Sequence, residues 1–308
     1  MEGELWETVY RLVREEASKR PRTKRVVYGD AWVLAVFFWA AVHDRPVRWA
    51  CRPENWPEHQ RWRGLPCEGT MSVRLRTLPV LQLLAAVLDR LAALADGRDP
   101  RVLSLLRVVD GKPLPVGGHS KDRDADWGKG AAGAWENGYK LFGVWPAAAD
   151  RGVVPEAWAL GPMGLPEPNV ARQELVPRLE ARGRGGYLEG DKLYDSNPLH
   201  ERCAAAGLQL VAPRKRPGTG LGHGAGGHSP ARLRAIELLE DPLHAPFGRG
   251  LYALRADVER KLGNLCAFGG GLAPLPAWVR RPRRVARWVA AKLVINGVRQ
   301  CRLQGLTP

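Results

Sequence analysis

Residues 102–111 read VLSLLRVVDG, an apolar run interrupted by Ser104 and Arg107 and closed by Asp110-Gly111. A Val- and Leu-rich run of this length, bounded by a turn-forming pair, predicts a buried strand over 102–109 with an acid at its end. Further segments of the same kind follow. Residues 139–145 and 153–160 predict two more strands, 169–182 a helix, and 186–189 a short strand closing near Asp191. A helix over 198–206 and a strand over 208–212 complete the series. Strands alternating with helices in this way define an α/β layout with a mixed sheet.

Upstream the periodicity changes. Residues 1–100 are mostly helical in pattern, with apolar spacing through Trp6, Val9, Leu12 and Val13, then 31–42, then 78–94. Between them, 51–67 is rich in Pro, Trp and Arg and predicts a loop, and 68–76 predicts a helix capped by Thr70 or Ser72. The longest apolar run, 31–42, is too short to cross a bilayer and predicts a buried helix. No signal-peptide pattern precedes it. Downstream, 213–230 (PRKRPGTGLGHGAGGHSP) is rich in Gly and Pro with a basic start, which predicts a mobile loop.

The 308-residue chain carries a formal charge of +15, a pattern that points to a polyanionic partner rather than to any fold. The excess is uneven. Residues 251–308 hold 11 basic and 2 acidic residues, so this segment supplies +9 of the total. Apolar residues between Trp278 and Ile295 predict a packed amphipathic helix there rather than a solvated tail. Arg280, Arg281, Arg283 and Arg284, with Arg214, Lys215 and Arg216 in the loop and Tyr252 and Arg255 further along, are the candidate nucleic-acid contacts. The five cysteines are odd in number and widely spaced, which argues for a reducing, cytoplasmic setting.

The chemistry rests on acids. Asp110 and Asp191 each follow an apolar run, and strand ends are where open α/β sheets place ligands. A third acid, Glu259, lies in LYALRADVERKLGNLC (251–266), which predicts a helix with Tyr252, Arg255 and Glu259 on one face at ~100° per residue. Carboxylates meeting at a sheet edge repel unless a cation intervenes, and hard oxygen ligands suit Mg²⁺ or Mn²⁺. Two such ions about 4 Å apart would serve an in-line displacement at phosphorus. Each acid also has a plainer reading: a turn at Asp110-Gly111, a helix cap at Asp191, and an i−4 ion pair between Glu259 and Arg255.

Competing motifs fail on spacing. Asp122, Asp124 and Asp126 begin like a calcium loop, but Trp127 stands where Gly is required. Cys51, His59 and Cys67 lack the paired spacing and fourth ligand of a zinc site. There is no GxxxxGK[ST] phosphate loop and no GxSxG nucleophile elbow.

The blocks VVDGKPLPVGGHSKDRDADWGKG, GYKLFGV, YLEGDKLYDSNPLHERCAAAGLQLVAPRKR and YALRADVERKLGNL resemble the acidic-triad (DDE) transposases of bacterial insertion sequences. Tyr252, Arg255 and Glu259 match the Tyr-x2-Arg-x3-Glu-x6-Lys pattern of one subgroup, and Cys266 stands where that pattern has Lys. The resemblance implies an RNase H-like catalytic fold with Asp110, Asp191 and Glu259 as Mg²⁺ ligands. It further implies cutting and joining of double-stranded DNA at inverted terminal repeats, with a homodimer on the DNA ends and the protein at the nucleoid. The expected division is a helical, end-recognising region over 1–100 and a catalytic domain over 101–308 that includes the basic C-terminal helix.

Overall fold

The computed structural model describes residues 2–21, 26–61, 64–96, 105–117, 120–131, 133–147, 154–217, 221, 227–266, 271–272 and 274–305. Residues 102–104, part of 213–230 and the start of the strand expected from 153 lie outside the described residues. The chain divides into two compact units, Asp96–Gly263, and Met1–Ala95 together with Asn264–Pro308. The C-terminal helix, expected with the catalytic half, thus groups with the N-terminal helices.

The helical unit contains α1 (Glu2–Ser18), α2 (Asp30–Val42), α3 (Val47–Ala50), α4 (Glu68–Arg74) and α5 (Leu78–Asp96). In α1 the buried residues Trp6, Val9, Leu12 and Val13 form the stripe the sequence predicts. Helix α2 is apolar all round and buried from Val33 to Val42, so it serves as the core of this unit. Helix α4 starts at Glu68 with Cys67 as its cap, the Sγ accepting from Thr70 N, in place of the predicted Thr70 or Ser72. No single helix among the described residues is long and apolar enough to cross a membrane.

In the sheet unit, β1 (Leu106–Pro115), β2 (Asp126–Lys129), β3 (Trp135–Pro146) and β4 (Ala157–Pro162) come first. Helix α6 (Glu167–Val170) runs through a π turn at Ala171–Leu175 into α7 (Val176–Ala181). The widened turn immediately precedes Pro177, which has no N–H for the normal helical bond. Then come β5 (Gly186–Glu189), a 3₁₀ turn (Lys192–Tyr194), α8 (Asn197–Ala205), β6 (Leu208–Val211), α9 (Pro230–Glu240), α10 (Ala245–Ala253) and α11 (Ala256–Asn264). Helix α12 (Pro282–Leu303) returns to the helical unit. It is buried almost all round from Trp288 to Val298, not amphipathic as expected. Its Lys292 is fully buried, with Nζ donating to Ala41 O (2.7 Å) and Asp44 Oδ1 (2.6 Å), so a cation closes the carbonyl end of α2.

The sheet runs β2-β3-β1-β5-β6, with β4 also paired to β3. Strands β1, β5 and β6 are parallel and β3 is antiparallel to β1, which makes a mixed, RNase H-like sheet flanked by helices. Its two faces bury different clusters. Val109, Phe142 and Val144 pack with Leu175, Leu179 and Leu199 on one side. Leu106, Val108 and Trp145 pack with Leu251, Val258 and Leu262 on the other.

Asp110 does not end its strand. The antiparallel ladder with β3 continues from Asp110↔Gly143 to Pro115↔Gly138. Pairing with β5 stops at Val108↔Glu189. Leu106 O and Val116 N both bond toward β3, which turns the nitrogens of Pro113 and Pro115 to the side where the β5 ladder has ended. Proline costs no bond there, so residues that look like a turn continue as an edge.

Candidate active site

Alternation along β1 places Asp110 on the face of Val108, the face covered by Leu251 of α10 and Val258 and Leu262 of α11. Asp191 follows β5 by two residues, on the neighbouring parallel strand. It sits at the start of the 3₁₀ turn, with Oδ1 accepting from Leu193 N at 2.7 Å, so it caps this turn rather than α8, whose N-cap is Ser196. Gly190, between β5 and Asp191, is passed so closely by the Tyr194 ring that a Cβ would lie 2.9 Å from it.

The two aspartates are electrostatically coupled. Burial, together with the negative charges of Glu167 and Asp191, pushes the Asp110 carboxyl up to about 6, against a lowering by the Gly111 N–H and by Arg255. Gly111 N donates to Asp110 Oδ1 at 2.8 Å. Gly111 is small for a reason. A Cβ there would lie 2.9 Å from Lys140 Cδ and 3.0 Å from Glu167 Cδ, because the Lys140–Glu167 ion pair (2.9 Å) crosses the strand at this point. Glu167 Oε2 accepts from Tyr194 Oη at 2.7 Å. Sequence reasoning missed Lys140, Glu167 and Tyr194. The only local sign was Tyr194, three residues after Asp191 in the same block.

The expected single helix over Tyr252, Arg255 and Glu259 is broken. Helix α10 ends at Ala253 and α11 begins at Ala256, with Leu254 N, Arg255 N and Val258 N bonded three residues back to Leu251 O, Tyr252 O and Arg255 O. The switch to three-residue bonds tightens the chain and offsets the shared face that unbroken periodicity predicts. Tyr252 and Arg255 nevertheless stay together. Burial raises the Tyr252 phenol, Arg255 lowers it, and the charges of Asp191 and Glu189 raise it further. Glu259 is different: its side chain is 69% exposed, with Oε1 3.8 Å from Arg255 Nη1, the plainer of its two readings. Among the described residues, no three acidic, His or Cys side chains stand close enough together to hold a metal ion.

The remaining candidates are scattered. Arg214 is held by Glu240, its Nε and Nη2 each 2.6 Å from a carboxylate oxygen. Lys215 donates its backbone N–H to Asp195, and its side chain, like that of Arg216, is exposed. Asp195, a neighbour easily confused with Asp191, is structural: it takes Arg232 at 2.6 and 2.9 Å and lies 3.5 Å from His200. Arg280 bonds Ala277 O, Arg281 is the N-cap of α12 at φ 73°, and Arg283 and Arg284 are exposed in the first turn. Cys266 Sγ donates to Leu272 O at 2.9 Å. Lys261 is turned inward, bonded to Pro146 O.

The RNase H-like sheet thus carries Asp110 and Asp191 two residues beyond the last pair, Val108↔Glu189, of its parallel β1–β5 ladder. A family model described as the transposase DDE domain matches residues 103–294, well over half of the chain, and the chain belongs to that family. No curated protein and no solved structure matches significantly. Membership implies DNA as the substrate.

Proposed function

We propose that this transposase cuts DNA at terminal inverted repeats and joins the ends to a target, with Asp110, Asp191 and Glu259 as the catalytic acids. The observation that carries the reading is the placing of Asp110 and Asp191 just past the paired residues of the adjacent parallel strands β1 and β5, with the charges of Asp191 and Arg255 both felt at Asp110. The donor chemistry of the aspartate pair fits a divalent cation, Mg²⁺ or Mn²⁺: hard carboxylate oxygens, that of Asp110 raised first by burial and then by the like charges of Glu167 and Asp191. The third acid does not fit as placed, since Glu259 is turned to Arg255. Asp110 and Asp191 would hold the cation, and Glu259 would join them on release from Arg255. When bound, the cation supplies charge stabilisation at the phosphorus under attack.

The chain's own residues do the rest. Arg255, freed of Glu259, is a forked donor suited to a phosphate next to the scissile bond. Tyr252, beside it, offers a ring on which an end base stacks. Arg283 and Arg284 add phosphate contacts that set affinity but not chemistry. Two copies, one on each DNA end, would complete the reaction.

Supplying duplexes that carry the element's ends, Mg²⁺ and an acceptor plasmid tests this. Cleaved and joined products are expected from the wild type, and none from Asp110→Asn, Asp191→Asn or Glu259→Gln, with DNA binding retained in all four. Cleavage without joining would reduce the protein to a nuclease. Binding without cleavage by the wild type would make it a transposase kept for DNA binding, the reading favoured by the outward Glu259 and by Cys266 in place of Lys.

A further inference from the structure

The helical unit contains a cavity of about 330 Å³ that the carboxylate chemistry does not use. Its floor is apolar, with Phe37, Leu75 and Trp288 buried in it, while Trp278 stands 42% exposed. Its rim is cationic. Arg48, Arg76, Arg284 and Arg287 all line it, against a single acid, Glu68. Arg76 Nη2 donates to Ser72 Oγ at 2.6 Å, and none of the four arginines forms an ion pair with a described residue. Burial, and then the guanidiniums of Arg284, Arg76 and Arg283, lower the pKa of the half-buried Arg287. The N-terminal end of α12, with Arg283 and Arg284 in its first turn, adds the positive end of a helix dipole to the same place.

Gathering four guanidiniums at a helix N-terminus against one carboxylate opposes stability, and an anion reduces the repulsion. Guanidinium forks match phosphate oxygens in pairs. Bare phosphate has no use for the aromatic floor, and neither has an acidic side chain. A flat heterocycle beside a phosphate uses both, and the volume is within the range of small-ligand sites. We infer that this cavity binds a nucleotide unit of a DNA strand, with the phosphate on Arg48, Arg76, Arg284 and Arg287 and the base against Trp278 and the apolar floor. Only the choice of a DNA strand over a free nucleotide rests on the proposed function; the pocket itself does not involve Asp110, Asp191 or Glu259.

The test uses the full unsubstituted chain without added divalent metal and reads binding alone, so it does not depend on which residues form the active site. Calorimetry compares deoxyadenosine 5′-monophosphate, inorganic phosphate, a short single-stranded oligonucleotide and polyglutamate. The nucleotide is expected to bind about tenfold or more tighter than phosphate, and the oligonucleotide tighter still. Trp278→Ala should erase the advantage of nucleotide over phosphate; Trp278→Phe, which keeps a ring, should restore part of it. Replacing Arg76 and Arg284 together by Ala should weaken the nucleotide at least about tenfold with a melting temperature no lower than that of the parent. Equal affinity for nucleotide and phosphate, equal affinity for polyglutamate, or an arginine variant that binds like its parent would overturn the site. An oligonucleotide no tighter than the monophosphate would overturn the DNA strand as its source.

Discussion

Tyr194 donates its phenolic hydrogen to Glu167 across 2.7 Å, and through that bond the turn carrying Asp191 is tied to α6 and, by way of Lys140, to β3, the antiparallel neighbour of the strand carrying Asp110. Tyr194 N also bonds Asp191 O at 3.0 Å, and Glu167 lies against Gly111 while holding Lys140. The turn of Asp191 and the surroundings of Gly111, next to Asp110, thus share contacts through Tyr194, Glu167 and Lys140.

Tyr194→Phe keeps the ring in its core position and removes one donor from Glu167. The unsatisfied acceptor should cost about 1–3 kcal/mol in urea denaturation. DNA cleavage should fall with the Kd for DNA unchanged. A variant as stable and active as the wild type would show that the bond does not hold the turn.

Asp110→Asn should abolish cleavage and raise the stability of the metal-free protein. Its folded pKa of about 6 lies above the ordinary 3.8, so its contribution to stability is full below about 3.8 and is lost as pH rises through 6. At neutral pH the difference corresponds to about 3 kcal/mol, which the neutral amide should recover in part. Thermal melts of both proteins in chelator check the sign; a large drop in melting temperature would assign Asp110 to structure.

Asp195 has the opposite linkage. Burial alone would raise it, but His200, Arg232 and the Lys215 N–H hold its carboxyl well below the usual 3.8. Its stabilisation is present above about pH 4 and disappears as pH falls through the depressed folded value. Asp195→Asn should cost about 3–5 kcal/mol at neutral pH, because it leaves Arg232 without its partner. The gap between the two proteins should narrow on acidification, as urea titrations at several pH values would show.

Replacing Arg283 and Arg284 by Ala should flatten the slope of log K against log salt for duplex DNA by up to about 1.8. Arg214→Ala should leave that slope unchanged, because Arg214 is already neutralised by Glu240. A flattened slope from Arg214→Ala alone would mean that the ion pair opens on DNA.

The parts legible in the sequence are those with local causes. The strand at 186–189 matches β5 residue for residue, since Tyr187 and Leu188 are bounded closely by glycines on both sides. The polar segment Asp126–Lys129 becomes β2 only because β3 is long enough to pair with it, and no periodicity shows that. Asp110 and Asp191 could be singled out from the runs they follow. Glu167 could not, as its place at the site is made by Gly111 and Tyr194, far away along the chain. The helix break before Arg255 was likewise hidden, because Leu251, Val258 and Leu262 keep helical spacing straight across it.

The burial of Lys292 against Ala41 and Asp44 sets an order of events during synthesis. The sheet unit is built from one contiguous stretch and has all of its residues as soon as Gly263 leaves the ribosome. The first ninety-five residues emerge earlier but lack their central lysine-bearing helix until some two hundred more have followed. Although translated first, the helical unit is therefore the last to close, and the exposed α2 is the surface a chaperone would meet on the growing chain.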